Sequence, residues 1–271
     1  MMFNRNKIGI IGLGFVGNAI KESVDHNYIF NSTVLIDPSK GFLGKYEDLV
    51  DADGVFVCVP SPQADDGTCD TGILESVLKN LEDVGFKGVI ISKCTAPPLA
   101  YRALQNKYKN LVHSPEFLTA ANAARDYANG KFSFIGGDVS AYRNEAERII
   151  KLTQDLKDNV VHCTIEEASL AKYTINSFLA TKVIFMNEIY SLSKKLGCDY
   201  DTVAKMVTMD TRIGTSHMKV PGLDGSLGFA GMCFPKDTSA LIKLAEEVDI
   251  RMNVLDSAVK KNTLLRLTES K

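Results

Sequence analysis

Gly12-Leu13-Gly14-Phe15-Val16-Gly17 stands at the end of an apolar run, residues 7–12, and opens an apolar pattern of helical period. Three glycines so spaced at a strand-to-helix turn leave few folds open. The first permits a tight turn, the second lets the backbone approach a pyrophosphate, and the third allows the helix to pack closely on its strand, with the helix N-terminus facing the phosphate charge. Asp37 closes the next apolar run, residues 33–37, 20 residues after Gly17. A carboxylate there accepts ribose hydroxyls and repels a 2′-phosphate, so the dinucleotide expected is NAD rather than NADP. Glycines alone would make only an ordinary turn; strand, helix and acidic residue in this order favour cofactor binding.

Further short apolar runs at 54–59, 88–92 and Leu111–His113 are mostly followed by helical patterns. Their Ile and Val residues lack polar alternation, which marks strands covered on both faces of a parallel sheet. Runs at 132–135 and 159–163 flank a helical pattern over 141–156. The fold class expected is α/β: a Rossmann-type, doubly wound, mostly parallel sheet over residues 1–164, followed by a smaller all-α domain over 165–271. That second domain is built on one long helix from about Ile165 to Leu196, with Leu170, Tyr173, Phe178, Leu179, Ile184, Phe185 and Ile189 on apolar rows and Gly197 as its stop. Shorter helices near 200–209, 237–247 and 254–267 complete it. A helix of such length either bridges two domains or lends an apolar face to another chain.

Composition narrows the partners. Of 271 residues, 45% are hydrophobic and 24% charged, and 31 Lys+Arg balance 33 Asp+Glu without clustering. Such a chain folds, and it offers no electrostatic footprint for nucleic acid or an anionic membrane. Lys172, Lys182 and Glu188 interrupt the longest apolar stretches before they reach the roughly 20 residues of a membrane span. The start, Met1-Met2-Phe3-Asn4-Arg5-Asn6-Lys7, leads into a strand pattern without a small-residue cleavage site, so the cytoplasm is the expected location. Six cysteines without a CxxC pair suggest neither a disulfide framework nor a zinc cluster. No metal is expected.

One of those cysteines has unusual neighbours. Cys233 lies in Gly228-Phe229-Ala230-Gly231-Met232-Cys233-Phe234-Pro235-Lys236-Asp237, ahead of an apolar helical pattern. A thiol near an ammonium and a helix N-terminus is biased toward the thiolate, whereas an arbitrary cysteine is usually a small core residue. Ligands of doubly wound sheets lie beyond the carboxyl ends of the strands, where Val59-Pro60-Ser61-Pro62, Lys93-Cys94-Thr95-Ala96-Pro97 and Ser114-Pro115-Glu116-Phe117-Leu118 stand. Thr95 there either holds a water or substrate hydroxyl or simply serves a turn, and both readings stay open. Glu116 is expected on the cofactor side of the sheet, although an isolated glutamate is usually just solvated. Lys172 and Asn176, four residues apart, share one helix face. They suit a developing oxyanion, but by pattern alone a solvated surface pair is the stronger reading.

Taken together, these segments with Arg212-Ile213-Gly214 resemble the UDP-glucose/GDP-mannose dehydrogenase family over nearly the whole chain. The cysteine loop with Pro-Lys-Asp is the most specific part. The resemblance implies oxidation of the primary alcohol of a nucleotide sugar, UDP-glucose first among them, to the uronate by NAD in two steps through a Cys233 thiohemiacetal and thioester. It implies that Lys172 and Asn176 hold the sugar oxygen, that Asp237 and Thr95 position a water that relays the proton, and that Glu116 assists thioester hydrolysis. The implied cofactor contacts are Gly12, Gly14, Phe15, Val16, Gly17, Asp37, Lys40, Pro60, Ser61, Thr95 and Lys236. Those implied for the substrate are Glu116, Phe117, Leu118, Lys172, Asn176, Phe229, Gly231 and Cys233, with Arg212 reaching the sugar site of a neighbouring subunit in a homodimer formed through helix 165–196.

Two departures stand against this pattern. Ala120 occupies the place of a second family glutamate, and Ala230 that of a common glycine. Family members also continue past the helix ending near Leu267 into a second α/β domain that grips the nucleotide base, whereas this sequence stops at Lys271. The alternatives are therefore a catalytically impaired NAD-binding homologue, or a subunit needing a partner chain. A one-step hydroxyacid dehydrogenase is the other enzyme reading, and it leaves the cysteine loop without a task.

Overall fold

The computed structural model describes residues 7–27, 30–119, 122–156 and 159–268. The chain divides into two compact units, Met1–Pro62 with Cys69–Lys172, and Gln63–Thr68 with Tyr173–Lys271.

The first unit is a sheet unit whose strands are β1 (Lys7–Ile11), β2 (Ser32–Asp37), β3 (Phe42–Leu43), β4 (Gly54–Val57), β5 (Val89–Ser92), β6 (Leu111–His113), β7 (Ser133–Gly136) and β8 (Val160–Cys163). They form one sheet in the order β3-β2-β1-β4-β5-β6-β7-β8. Only β3 against β2 and β7 against β6 run antiparallel. Helices α1 (Phe15–Asn27), α2 (Gly72–Asp83), α3 (Pro98–Lys107), α4 (Ala123–Ala128) and α5 (Ser140–Thr153) accompany it.

Side-chain alternation explains why both faces are covered. Val55 and Val57 of β4, Ile90 of β5 and Leu111 of β6 join one core with Leu74, Val77, Leu78 and Leu81 of α2 and Tyr101 of α3. Their strand neighbours Phe56, Val89, Ile91 and Val112 point the opposite way, into a core with Ala19, Ile20 and Val24 of α1 and Ala146, Ile149 and Ile150 of α5. Each strand is thus apolar at successive positions because each face has its own helix layer. Burying one such Ile, Leu or Val contributes about 1.5–3 kcal/mol. The doubly wound, mostly parallel sheet expected from the sequence is the one observed.

Some local boundaries differ from expectation. The two-residue edge strand β3, and α4 with its six residues, are too short to carry a period.

In the second unit, α6 (Ile165–Leu196), α7 (Tyr200–Val207), α8 (Phe234–Glu247) and α9 (Asn253–Thr268) are the helices among the described residues. The opening turns of α6 belong to the sheet unit, where Ile165 joins the α2 core and the Ser169 hydroxyl donates to the Ala96 carbonyl at 2.6 Å. Helix α8 starts three residues earlier than its apolar pattern, because Pro235 in the first turn needs no N–H partner and already has helical φ. Ala180, Ile184, Phe229 and Ala258 form one helical core, and Met186, Tyr200, Met218 and Val220 another. On α6, Tyr173 and Ile184 are buried, while Phe178, Phe185 and Leu192, seven residues apart, are 67%, 59% and 54% exposed. No helix among the described residues is long and apolar enough to cross a membrane.

Candidate active site

The glycine fingerprint of the sheet unit shows three different local environments. Gly12 has φ +87, and a Cβ there would meet the Cys58 backbone at 2.8 Å; one at Gly17 would meet the Gly12 carbonyl at 1.9 Å. At Gly14 nothing lies within 4 Å. The first and third glycines are therefore required by the protein itself, whereas the second borders free space beside the N-terminus of α1, where a pyrophosphate fits. Phe15 opens that helix 62% exposed, and Val16 packs partly against the α1 side of the sheet.

Asp37, at the end of β2, accepts the Leu13 N–H at 2.8 Å and the Ser39 hydroxyl at 2.6 Å. The Ser39 hydroxyl, then the Leu13 amide and the Lys40 ammonium, hold its carboxyl below the usual range. Lys40 donates to the Leu13 carbonyl, so the middle of the fingerprint is held between one acid and one base. Beyond β4, Pro60 is exposed, and the Ser61 hydroxyl is buried with no hydrogen-bond partner among the described residues. A buried orphan hydroxyl at a strand end is a donor awaiting an acceptor. Free space at Gly14, an ionised Asp37 and the Ser61 hydroxyl together fit a dinucleotide.

Two strands away, Glu116 is held from several sides. Its Oε1 accepts the Phe117 N–H at 2.9 Å, and its Oε2 lies 3.3 Å from Lys93 Nζ, the two side chains being 13% and 2% exposed. Lys93 also donates to the Ser114 hydroxyl at 3.2 Å and lies 5.8 Å from the centre of the Tyr127 ring. Lys172 donates to the Glu116 carbonyl, and its ammonium stands 4.8 Å from the Phe117 ring centre. Lys93 and Glu116 border a cleft of about 410 Å³ with Phe117, Leu118 and Phe132 on its wall. Thr95, half-buried at the end of β5, accepts the Cys69 thiol at its carbonyl at 3.3 Å.

In the helical unit, Cys233 is exposed and immediately precedes α8, its carbonyl accepting the Asp237 N–H at 2.8 Å. Burial pushes the Cys58 and Cys163 thiols up, away from thiolate, and Cys94 is buried. Asp237 is 1% exposed; one carboxylate oxygen accepts Asn176 Nδ2 at 2.6 Å and the other Lys236 Nζ at 2.6 Å. A buried carboxylate is tolerable because an amide and an ammonium satisfy it, and removing one such partner costs about 3–5 kcal/mol. Lys172 and Asn176 are 8% and 7% exposed, which overturns the solvated-pair reading of α6. Gly231 has φ +85 with nothing within 4 Å of its Cβ position, and Ala230 beside it is exposed. The Phe229 side chain is core. Arg212 is a surface residue, its side chain 85% exposed and paired with Asp210 at 2.6 Å. Ala120 lies outside the described residues.

Residues 41–154 match the NAD binding domain of the UDP-glucose/GDP-mannose dehydrogenase family, and residues 166–264 match its central domain. The chain belongs to this family. NAD is accordingly the cofactor of its sheet unit. UDP-glucose 6-dehydrogenase TuaD of Bacillus subtilis is 30% identical over 80% of this chain and 47% of its own length. A UDP-glucose dehydrogenase from the archaeon Pyrobaculum islandicum, 25% identical, superposes with a TM-score of 0.78 over 96% of this chain and 68% of that one. The 3-hydroxyisobutyrate dehydrogenase of Mycobacterium tuberculosis, 16% identical, shares the fold with a TM-score of 0.75, covering 94% of this chain and 91% of that one. The chain spans about half the length of the curated dehydrogenases it matches.

The structure brings Lys172 to Glu116, and Asn176 and Lys236 to Asp237. Sequence reasoning passed over Lys93 as a site residue. Its signal was a cation directly after the apolar run of β5, because a lysine at such a place needs a buried partner.

Proposed function

We propose that this chain is an NAD-dependent nucleotide-sugar dehydrogenase that oxidises the C6 alcohol of UDP-glucose twice, to the uronate. The observation that carries the reading is an exposed thiol at the start of α8, four residues before a buried Asp237 satisfied by Asn176 and Lys236. NAD, when bound, supplies the hydride acceptor for both oxidations. Asn176 and Lys172 hold the sugar oxygen while the alcohol loses its proton, and Asp237 with Thr95 orders the water that takes it. The Cys233 thiolate adds to the resulting aldehyde carbon, whose oxygen gains a proton, giving a thiohemiacetal. Loss of a second hydride from that carbon, and of the proton from its hydroxyl oxygen, leaves a thioester. Glu116, oriented by the Phe117 N–H and Lys93, assists water in breaking the C–S bond, which releases the carboxylate and restores the thiol.

The exposed row of Phe178, Phe185 and Leu192 supports a homodimer through α6, in which Arg212 serves the neighbouring subunit. A chain without a membrane-crossing helix among its described residues, acting on a soluble nucleotide sugar, belongs in the cytoplasm.

The test is NADH formation with UDP-glucose, UDP-N-acetyl sugars and GDP-mannose. UDP-glucose should give the highest kcat/KM, and Cys233→Ser should abolish uronate release. No NADH with any of these sugars would sink the proposal.

A further inference from the structure

Cys233 is anchored downstream by α8, but the span just ahead of it is loosely held: Ala230, Gly231 and Met232 are exposed, and Gly231 borders open space. One residue further back the chain is gripped. The Gly228 N–H donates to Asn187 Oδ1 at 3.0 Å, and the Phe229 N–H donates to Asn262 Oδ1 at 2.7 Å. The Phe229 carbonyl accepts Arg266 Nε at 3.2 Å, and the Gly228 carbonyl accepts Arg266 Nη2 at 3.4 Å. Side chains thus satisfy both donors and both acceptors of two successive residues, a task that secondary structure or water usually performs.

Each clamp residue is itself held. Asn187, 2% exposed on α6, donates its amide to the Val183 carbonyl at 2.7 Å, which turns its oxygen toward the loop. Arg266, on α9, is paired with Asp224 at 2.7 Å. Gly228 is part of the device: it has φ +76, and a Cβ there would meet Asn262 Oδ1 at 2.4 Å. The Phe229 ring is fixed among Ala180, Ile184 and Ala258.

We propose that Asn187, Asn262 and Arg266 are positioning residues that fix the upstream end of the Cys233 loop. This rests on Cys233 being the nucleophile. Three residues then separate a fixed dipeptide from the thiol, and each can span at most about 3.6 Å. The thiol is confined although its immediate neighbours are exposed. Loosening the clamp leaves the nucleophile present but misplaced, and a shift of about 1 Å costs roughly 100-fold in rate.

Amide hydrogen exchange on the full chain, without substrate, tests the clamp directly. In the unmodified protein the Gly228 and Phe229 amides should exchange at least about 100-fold more slowly than those of Gly231 and Met232. Asn262→Leu and Arg266→Gln should speed exchange over residues 228–233 by about tenfold or more while α7 keeps its protection. Both should lower kcat by about 10- to 100-fold with the Kd for NAD unchanged, and Arg266→Lys should recover part of the loss. Gly228 and Phe229 amides that exchange as fast as Gly231 in the unmodified protein would overturn the proposal, even if neither variant folds. So would a folded variant with faster exchange and undiminished kcat. Failure of the unmodified protein to form NADH with any sugar would refute the role of Cys233 itself, and the exchange pattern would still judge the clamp.

Discussion

Lowering the pH from 7.5 to 5 should cost the sheet unit about 2 kcal/mol through His113 alone. The ring is 1% exposed and stacks on Tyr101 at 4.2 Å between centroids. Its Nδ1 lies 3.1 Å from the Ser92 carbonyl, which can only accept, so Nδ1 carries the proton; Nε2 is buried with no hydrogen-bond partner among the described residues. Burial first, then the Lys93 and Lys172 cations against the Ser92 bond, holds its pKa down to about 3 from 6.5. An unfolded chain therefore takes up this proton near pH 6.5, the folded one only near pH 3. Between those values the unfolded state binds more protons, so the stability is complete above pH 6.5 and is lost progressively as pH falls toward 3. At pH 5, 1.5 units below the unfolded value, about 1.4 kcal/mol per unit gives about 2 kcal/mol. Urea unfolding followed by ellipticity, since the chain has no tryptophan, would compare the protein with His113→Gln at both pH values. The variant should be less stable at pH 7.5 but lose about 2 kcal/mol less on acidification. An equal loss in both proteins would refute the reasoning, because every other titrating group is common to the two.

Lys93→Met leaves the Glu116 carboxylate with one partner fewer in a buried place, and should cost about 3 kcal/mol; the melting temperature should fall by roughly 6–12 °C. Adding Glu116→Gln should recover part of that fall. Gly14→Ala and Gly17→Ala should separate binding from folding: the first keeps the melting temperature within about 1 °C and weakens NAD binding in calorimetry, whereas the second destabilises the sheet unit. Equal melting temperatures for the two would contradict the contacts around these glycines. Phe185→Glu on α6 should halve the mass seen by sedimentation, and an unchanged mass would exclude the exposed row as the dimer surface.

Much of the fold was legible because buried strands leave a local trace: the runs at 54–59 and 88–92 mark β4 and β5 to within two residues at each end. The fingerprint was legible in detail, since Gly12 and Gly17 are demanded by nearby backbone and Gly14 is not. What escaped was long-range. Lys93 finds Glu116 in the segment after another strand, and Asn262 and Arg266 reach a loop more than thirty residues earlier, so no periodicity announces either. Lys172 and Asn176 read as solvated for the same reason. The groups beside them, Glu116 for one and Asp237 for the other, come from distant segments.

The most direct test of the account counts electrons. With limiting UDP-glucose and excess NAD, the unmodified protein should form two NADH for each sugar converted to uronate, and Cys233→Ser should release no uronate. One NADH per sugar, with Cys233→Ser as active as the unmodified protein, would contradict the proposal that Cys233 carries the second oxidation.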